Sequence, residues 1–114
     1  MVAGFNRAED AFLEAEFKEL GCDVRVVTMD SSSGRKGLVT DHLADIAHDY
    51  FYSCGPLPML KALQTALTSA GDLSLEARMG CGYGACMGCT IQTVNGPKRV
   101  CKEGPVFEKE EVIW

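Results

Sequence analysis

The stretch Gly80-Cys81-Gly82-Tyr83-Gly84-Ala85-Cys86-Met87-Gly88-Cys89 constrains this chain more than any other. It sets three cysteines at C-x4-C-x2-C among four glycines, and a fourth thiol, Cys101, follows after eleven intervening residues. That is the plant-type ligand spacing of a [2Fe–2S] cluster, in which four thiolates converge on two irons. Here they would come from one short loop and one returning strand. A loop this tight needs backbone conformations that a β-carbon forbids, which suits Gly80, Gly82, Gly84 and Gly88. Glycine also lets backbone N–H groups approach the cluster sulfurs and tune the potential. Two other readings use the same residues. Zinc takes four cysteines, but structural zinc sites usually pair two short C-x2–4-C knuckles, and a triplet with one distant cysteine fits that poorly. A disulfide set is the other, and six cysteines among 114 residues without a signal peptide do not favour a secreted scaffold.

The length suits one ordinary domain, or a small lobe with a cluster module. Hydrophobic residues at 46% and charged residues at 24% are those of a soluble globular protein. The net charge of −5 argues against a nucleic-acid surface. No apolar run approaches the roughly 18 residues of a membrane span. Met1 to Arg7 lacks the charged and apolar regions of a signal peptide. The expected location is cytoplasmic, where thiols stay reduced and available to metal.

Before the loop, strands and helices alternate. Met1–Phe5 is expected as a short strand. Asn6 with Glu9 resembles a capping box, and Phe12, Leu13, Phe17 and Leu20 recur at helical spacing, so a helix with these residues in the core is expected over 7–20, closed by Gly21 at C′. The run Asp23–Met29 predicts a second strand. Asp30–Gly37 is a polar loop in which Arg35 and Lys36 either meet a nucleotide phosphate or are simply solvated. A short helix is expected near 39–47, with His42 and His48 as ordinary surface or capping residues. A third strand follows over Asp49–Cys54, then Gly55-Pro56-Leu57-Pro58 and a helix carrying Leu60, Leu63 and Leu67, ended by Gly71. Asp72–Leu75 is expected as a linker. Thr90–Val94 and Lys98–Cys101 flank Asn95-Gly96-Pro97 as a hairpin that returns Cys101 toward the loop. Glu111–Trp114 is a further possible strand, with Trp114 packing on the module. Strand–helix alternation implies a parallel, three-layer sheet, thin at three strands.

Two motifs stand in a fixed order: Tyr52-Ser53-Cys54-Gly55-Pro56-Leu57-Pro58-Met59-Leu60, then the cysteine loop with Val100-Cys101-Lys102-Glu103-Gly104-Pro105-Val106-Phe107. Together they resemble the electron-transfer subunits of the NAD-linked, two-subunit dihydroorotate dehydrogenases, within the ferredoxin–NADP reductase superfamily. The likeness covers essentially the whole chain. The C-G-P-x-P-M-L segment indicates only the superfamily, whereas the x4/x2 loop with C-K-x-G-P-V-F is far more specific. The resemblance implies that Cys81, Cys86, Cys89 and Cys101 ligate the cluster. It places Cys54, Gly55 and Pro56 where nicotinamide meets flavin, and Asn6, Arg7 and Asp30, with the loop to Gly37, near the adenosine end of the nucleotide.

The implied fold class is α/β. A truncated three-layer parallel-sheet nucleotide-binding lobe of ferredoxin reductase type would span 1–72, and a small β-rich [2Fe–2S] module 73–114. The family's flavin-binding barrel, its Arg-x-Tyr-Ser type of motif and its glycine-rich pyrophosphate turn are absent, and Asp30-Ser31-Ser32 stands where relatives often have Asp-Gly-Ser. The chain is therefore expected to be the C-terminal part of such a subunit, not holding FAD or NAD by itself and not turning over alone. The implied role is relay of electrons from dihydroorotate oxidation, in pyrimidine biosynthesis, through the cluster to FAD and NAD+. The implied partner is the FMN-containing catalytic subunit, in a heterotetramer, with no nucleic acid and no membrane. Tyr83 and Met87 either shield the cluster or meet that partner. Two rivals stand beside this reading: a diaphorase-type flavin and iron–sulfur subunit of a hydrogenase or sulfide-linked reductase, and a zinc- or disulfide-held interaction module.

Overall fold

Where β-branched residues run together, the chain extends. The apolar run Val26-Val27-Thr28 is the buried part of β2 (Arg25–Thr28), which lies between β1 (Val2–Phe5) and β3 (Arg35–Lys36) in an all-parallel sheet, Ala3 opposite Val26 and Thr28 opposite Lys36. The Thr28 hydroxyl donates to the Ser33 carbonyl at 2.6 Å and accepts the Ser33 N–H at 3.2 Å, turning the chain back toward β3. The computed structural model describes all residues, 1–114, and they divide into two units, Met1–Ile46 and Ala47–Trp114.

In the first unit the expected helix over 7–20 is broken. A 3-10 turn spans Ala8–Asp10, and α1 (Glu14–Glu19) begins only after Leu13, whose φ of 63° is left-handed. The cap falls one residue later than the Asn6/Glu9 pairing predicts, because the Asp10 carboxylate accepts the Arg7 N–H at 3.2 Å while Ala8 N–H donates to Ser32 Oγ at 2.6 Å. The break turns the apolar stripe outward: Phe12 is 67% and Leu20 78% exposed, so these are not core residues. Phe12 instead meets Phe5 edge-on, ring centres 5.7 Å apart. Gly21 does close α1, with φ +83°; its N–H reaches Lys18 O and that of Cys22 reaches Phe17 O, a Schellman pair. The second expected helix is only a 3-10 turn, Val39–His42, closed by the Asp41 carboxylate on the Leu38 N–H.

In the second unit, β4 (Tyr50–Cys54) and β5 (Ala70–Ser74) are parallel and joined by α2 (Leu57–Ala66). Pro58 sits in the first turn of α2, where no N–H is missed, and Leu60 and Leu63 are buried, each worth roughly 1.5–3 kcal/mol. Gly71 does not end this helix. It lies in β5 opposite Phe51, whose ring occupies the space a β-carbon would need, 2.2 Å away. Asp72–Leu75 is likewise not a linker: Leu73 and Leu75 are buried and alternate with Asp72 and Ser74. On its other side β5 pairs antiparallel with β8 (Val106–Glu108), after the intervening hairpin of β6 (Thr90–Thr93) and β7 (Lys98–Arg99). The hairpin extends to β9 (Val112–Ile113) in the order β7-β6-β9. The molecule is thus α/β, but its parallel strands lie in two sheets, one of them mixed, and not in the single parallel sheet expected. The expected boundary at 72/73 falls inside β5.

Side chains from α2 and β8–β9 lock this unit. Lys109, almost fully buried, donates to Leu67 O at 2.8 Å and Ser69 O at 2.6 Å, carbonyls at the end of α2. The Gln64 amide donates to Lys109 O and Val112 O, and Trp114 Nε1 donates to Gln64 Oε1. No helix is long and apolar enough to cross a membrane.

Candidate metal centre

The loop from Gly80 to Cys89 has no regular structure; glycine geometry and sulfur contacts shape it. Gly84 is buried with φ +95°, and a β-carbon there would lie 2.8 Å from Lys102 Cδ. Gly80 and Gly88 serve differently: an added β-carbon would sit 3.2 and 3.4 Å from the Cys86 sulfur, so their absent side chains leave room for that thiol. Met87 adopts φ 61°, held by the Thr90 N–H and hydroxyl on its carbonyl. Cys89 leads straight into β6. The hairpin then brings Val100 N–H to Cys89 O at 3.1 Å and Cys101 N–H to the Cys89 sulfur at 3.4 Å.

The four thiols of the motif lie in two pairs. The Cys81 sulfur accepts N–H groups from Ala85 at 3.3 Å and Cys86 at 3.5 Å. The Cys86 N–H, then that of Tyr83, draws the Cys81 thiol down to about 6, toward the thiolate that a metal ligand needs. The Cys101 N–H likewise lowers Cys89. Cys101 is raised, first because its thiol donates to the Cys89 sulfur, then by burial and by the negative charge of Cys89 and Cys81. Cys81 pairs with Cys86, Cys89 with Cys101, and Cys81 and Cys101 feel each other's charge. No three His, Cys, Asp or Glu side chains group as a site for one ion. Two thiol pairs with N–H donors aimed at sulfur are a donor set suited to the four-thiolate ligation of a two-iron centre. All six cysteines are free thiols, and Cys22 and Cys54 stand outside the loop, on the end of α1 and the end of β4.

One feature escaped the sequence reading. Arg99, on β7, donates from Nη1 to Gly84 O at 2.6 Å and from Nε to Glu103 Oε2 at 3.1 Å, and Glu103 Oε2 accepts the Arg99 backbone N–H at 2.7 Å. The guanidinium holds the Glu103 carboxyl down at about 2, and Glu103 in turn raises Arg99. The Arg–Glu spacing of four was the available signal.

The other expected site residues fall into two sets. Asn6, Arg7 and Asp30 lie at the carboxyl ends of β1 and β2, where Asp30 N–H donates to Asn6 O at 3.4 Å and the Arg7 guanidinium pairs with Glu9 at 2.6 Å. Ser32 bonds hold the Asp30 carboxyl below its usual range. Arg35 and Lys36 are exposed but form β3. Cys54, Gly55 and Pro56 run from the carboxyl end of β4 into α2, and Cys54 opens into a shallow hollow with Tyr52, Ser53, Asp72, Ser74 and Val106. Tyr83, 74% exposed, and Met87, 52% exposed, face solvent from the loop.

Residues 76–113 match the family model of the iron–sulfur cluster binding domain of dihydroorotate dehydrogenase B. The match takes in the cysteine loop, the hairpin and the strands that follow it. Over the whole chain, the electron transfer subunit of dihydroorotate dehydrogenase B (NAD(+)) from Geobacillus sp. strain WCH70 is 47% identical, covering 98% of this chain and 46% of the relative. Those of Lysinibacillus sphaericus strain C3-41 and Fusobacterium nucleatum are 48% and 42% identical, again with 46% of the relative covered. The chain therefore spans a little under half the length of these curated relatives. A solved structure of an NADH-dependent reduced ferredoxin–NADP oxidoreductase, studied for flavin-based electron bifurcation, superposes with a TM-score of 0.81 at 30% identity, covering 99% of this chain and 43% of that one. The cluster-binding domain coincides with the four-thiol loop, the hairpin and β8–β9.

Proposed function

We propose that this chain is the cluster-bearing part of the electron-transfer subunit of an NAD-linked dihydroorotate dehydrogenase, with Cys81, Cys86, Cys89 and Cys101 holding a [2Fe–2S] cluster. The observation that carries this reading is the gathering of the four thiols into two pairs, each with a backbone N–H on a sulfur. When bound, such a cluster takes up and releases one electron at a time. The chain's own residues set the terms. The Ala85, Cys86 and Cys101 N–H groups stabilise thiolate, and Gly80 and Gly88 leave Cys86 unobstructed. Residues 73–114 act as the relay module and 1–72 as the nucleotide-side lobe, the two sharing the β4-β5-β8 sheet.

In the complete subunit, FAD and NAD accompany this part. Cys54, Gly55 and Pro56 serve the nicotinamide end, and Asn6, Arg7 and Asp30 the adenosine end. The partner is the FMN-bearing catalytic subunit, assembled as a heterotetramer in the cytoplasm, and exposed Tyr83 and Met87 suit that contact. The chain does not turn over by itself. The ferredoxin–NADP oxidoreductase likeness favours one second reading, a diaphorase-type flavin and iron–sulfur subunit of another oxidoreductase.

An anaerobic visible spectrum with iron, sulfide and zinc quantified per chain tests the centre. About two irons and two sulfides, with absorption across roughly 400–500 nm, are expected. Zinc without colour, persisting after reconstitution with iron and sulfide, overturns the assignment. Capture of an FMN-containing catalytic subunit whose dihydroorotate oxidation bleaches the spectrum selects the first reading over the second.

A further inference from the structure

We propose that Arg99 and Glu103 form a charge clamp that positions the cysteine loop and sets the reduction potential of the centre it holds. This rests on the four-thiol assignment above. The clamp has three points of contact. The Arg99 guanidinium reaches from β7 across to the loop and donates to Gly84 O at 2.6 Å, fixing the peptide midway between Cys81 and Cys86. The same group is forked onto Glu103, which lies beyond Cys101 and also accepts the Arg99 backbone N–H. One side chain thereby ties the Cys81–Cys86 segment to the turn that carries Cys101.

Gly84 is shaped for this contact. It is buried at φ +95°, with the Lys102 side chain over its Cα, and a β-carbon would come within 3.4 Å of Arg99 Nη1. Only a planar, multi-donor cation satisfies a carbonyl on one side and a carboxylate on the other; lysine has one nitrogen and no fork. The Arg99 side chain is 22% exposed and that of Glu103 31%, so both charges are partly shielded from solvent. Reduction adds negative charge to the centre. A nearby cation favours the reduced state and a nearby carboxylate opposes it, so the two halves of the clamp pull the potential in opposite directions.

The test is a mediated redox titration of the reconstituted chain, alongside the rate at which the visible spectrum is lost to a chelator. Glu103→Gln leaves the guanidinium uncompensated, and its midpoint is expected above that of the parent chain. Arg99→Gln leaves the carboxylate uncompensated, and its midpoint is expected below. Arg99→Lys keeps the charge and loses the fork: a midpoint near the parent's with faster loss of colour is expected. Midpoints that do not move, or that move the same way in both glutamine variants, overturn the proposal. Should Arg99→Gln fail to retain colour, Glu103→Gln decides the charge effect, an unmoved midpoint overturning it, and Arg99→Lys decides the positioning, an unchanged rate of colour loss overturning it. A parent chain that takes up no iron and sulfide overturns the ligand assignment itself, a failure distinct from unmoved variants.

Discussion

The two units of the molecule are held together in different ways. In Met1–Ile46 the buried side chains are confined to one strand, Val26, Val27 and Thr28, and large apolar residues such as Phe12 and Leu20 lie open. Ala47–Trp114 buries Leu60, Leu63, Leu73, Leu75, Val100, Phe107 and Val112, and cross-links them with Lys109 and Gln64. The least regular stretch of the chain, the cysteine loop, thus stands on its best-packed foundation. Irregular backbone can hold a demanding geometry when its ends are anchored in a core, while regular helical periodicity without such an anchor does not secure even a helix.

The sharpest break of this contrast is at the loop. Cys86→Ser removes one member of a thiol pair, and complete loss of iron and of the visible spectrum is expected after anaerobic reconstitution. Cys22→Ser, outside the loop, should leave iron per chain unchanged. Next in size is the core. Leu73→Ala is expected to lower unfolding free energy by about 2–5 kcal/mol in denaturant titrations, whereas Leu20→Ser should stay within roughly 0.5 kcal/mol. Equal losses for the two would erase the distinction between the units.

A smaller effect belongs to the end of α1. Gly21→Ala forces a β-carbon into a left-handed position, which costs about 1 kcal/mol, read as a lowered denaturation midpoint. The mildest is silent at neutral pH. The Tyr50 hydroxyl donates to Asp72 at 2.9 Å, and this bond pushes its ionisation up to about 12. Because the folded value lies above the ordinary one near 10, the bond's contribution is fully present below pH 10 and is lost as pH rises toward 12. Absorbance titration should show one of the three tyrosines ionising late, and Asp72→Asn should return it toward the ordinary range.

What was legible in the sequence followed the strength of its physical cause. Ligand spacing and the Asn95-Gly96 turn are local demands that few other structures meet, and the β6–β7 hairpin stands where it was expected. The strands β1, β2 and β4 are likewise found where β-branched and aromatic runs placed them. Helical periodicity failed at Phe12 and Leu20 because local polar bonds from Asp10 and Ser32 outcompeted the stripe. Gly71 reads locally as helix punctuation, although it makes room for the Phe51 ring from the neighbouring strand, a tertiary cause no local pattern displays. β8 was missed for the same reason, since its partner β5 lies far upstream in the chain.

The hairpin also has a consequence for assembly. Thr90 stands opposite Arg99 and Ile91 opposite Lys98, and that register alone presents Cys101 beside Cys89. Successive residues of a strand face opposite ways, so a slip of one position would turn the Cys101 sulfur away. Closing the turn in register is therefore what sets the fourth sulfur of the motif beside the third.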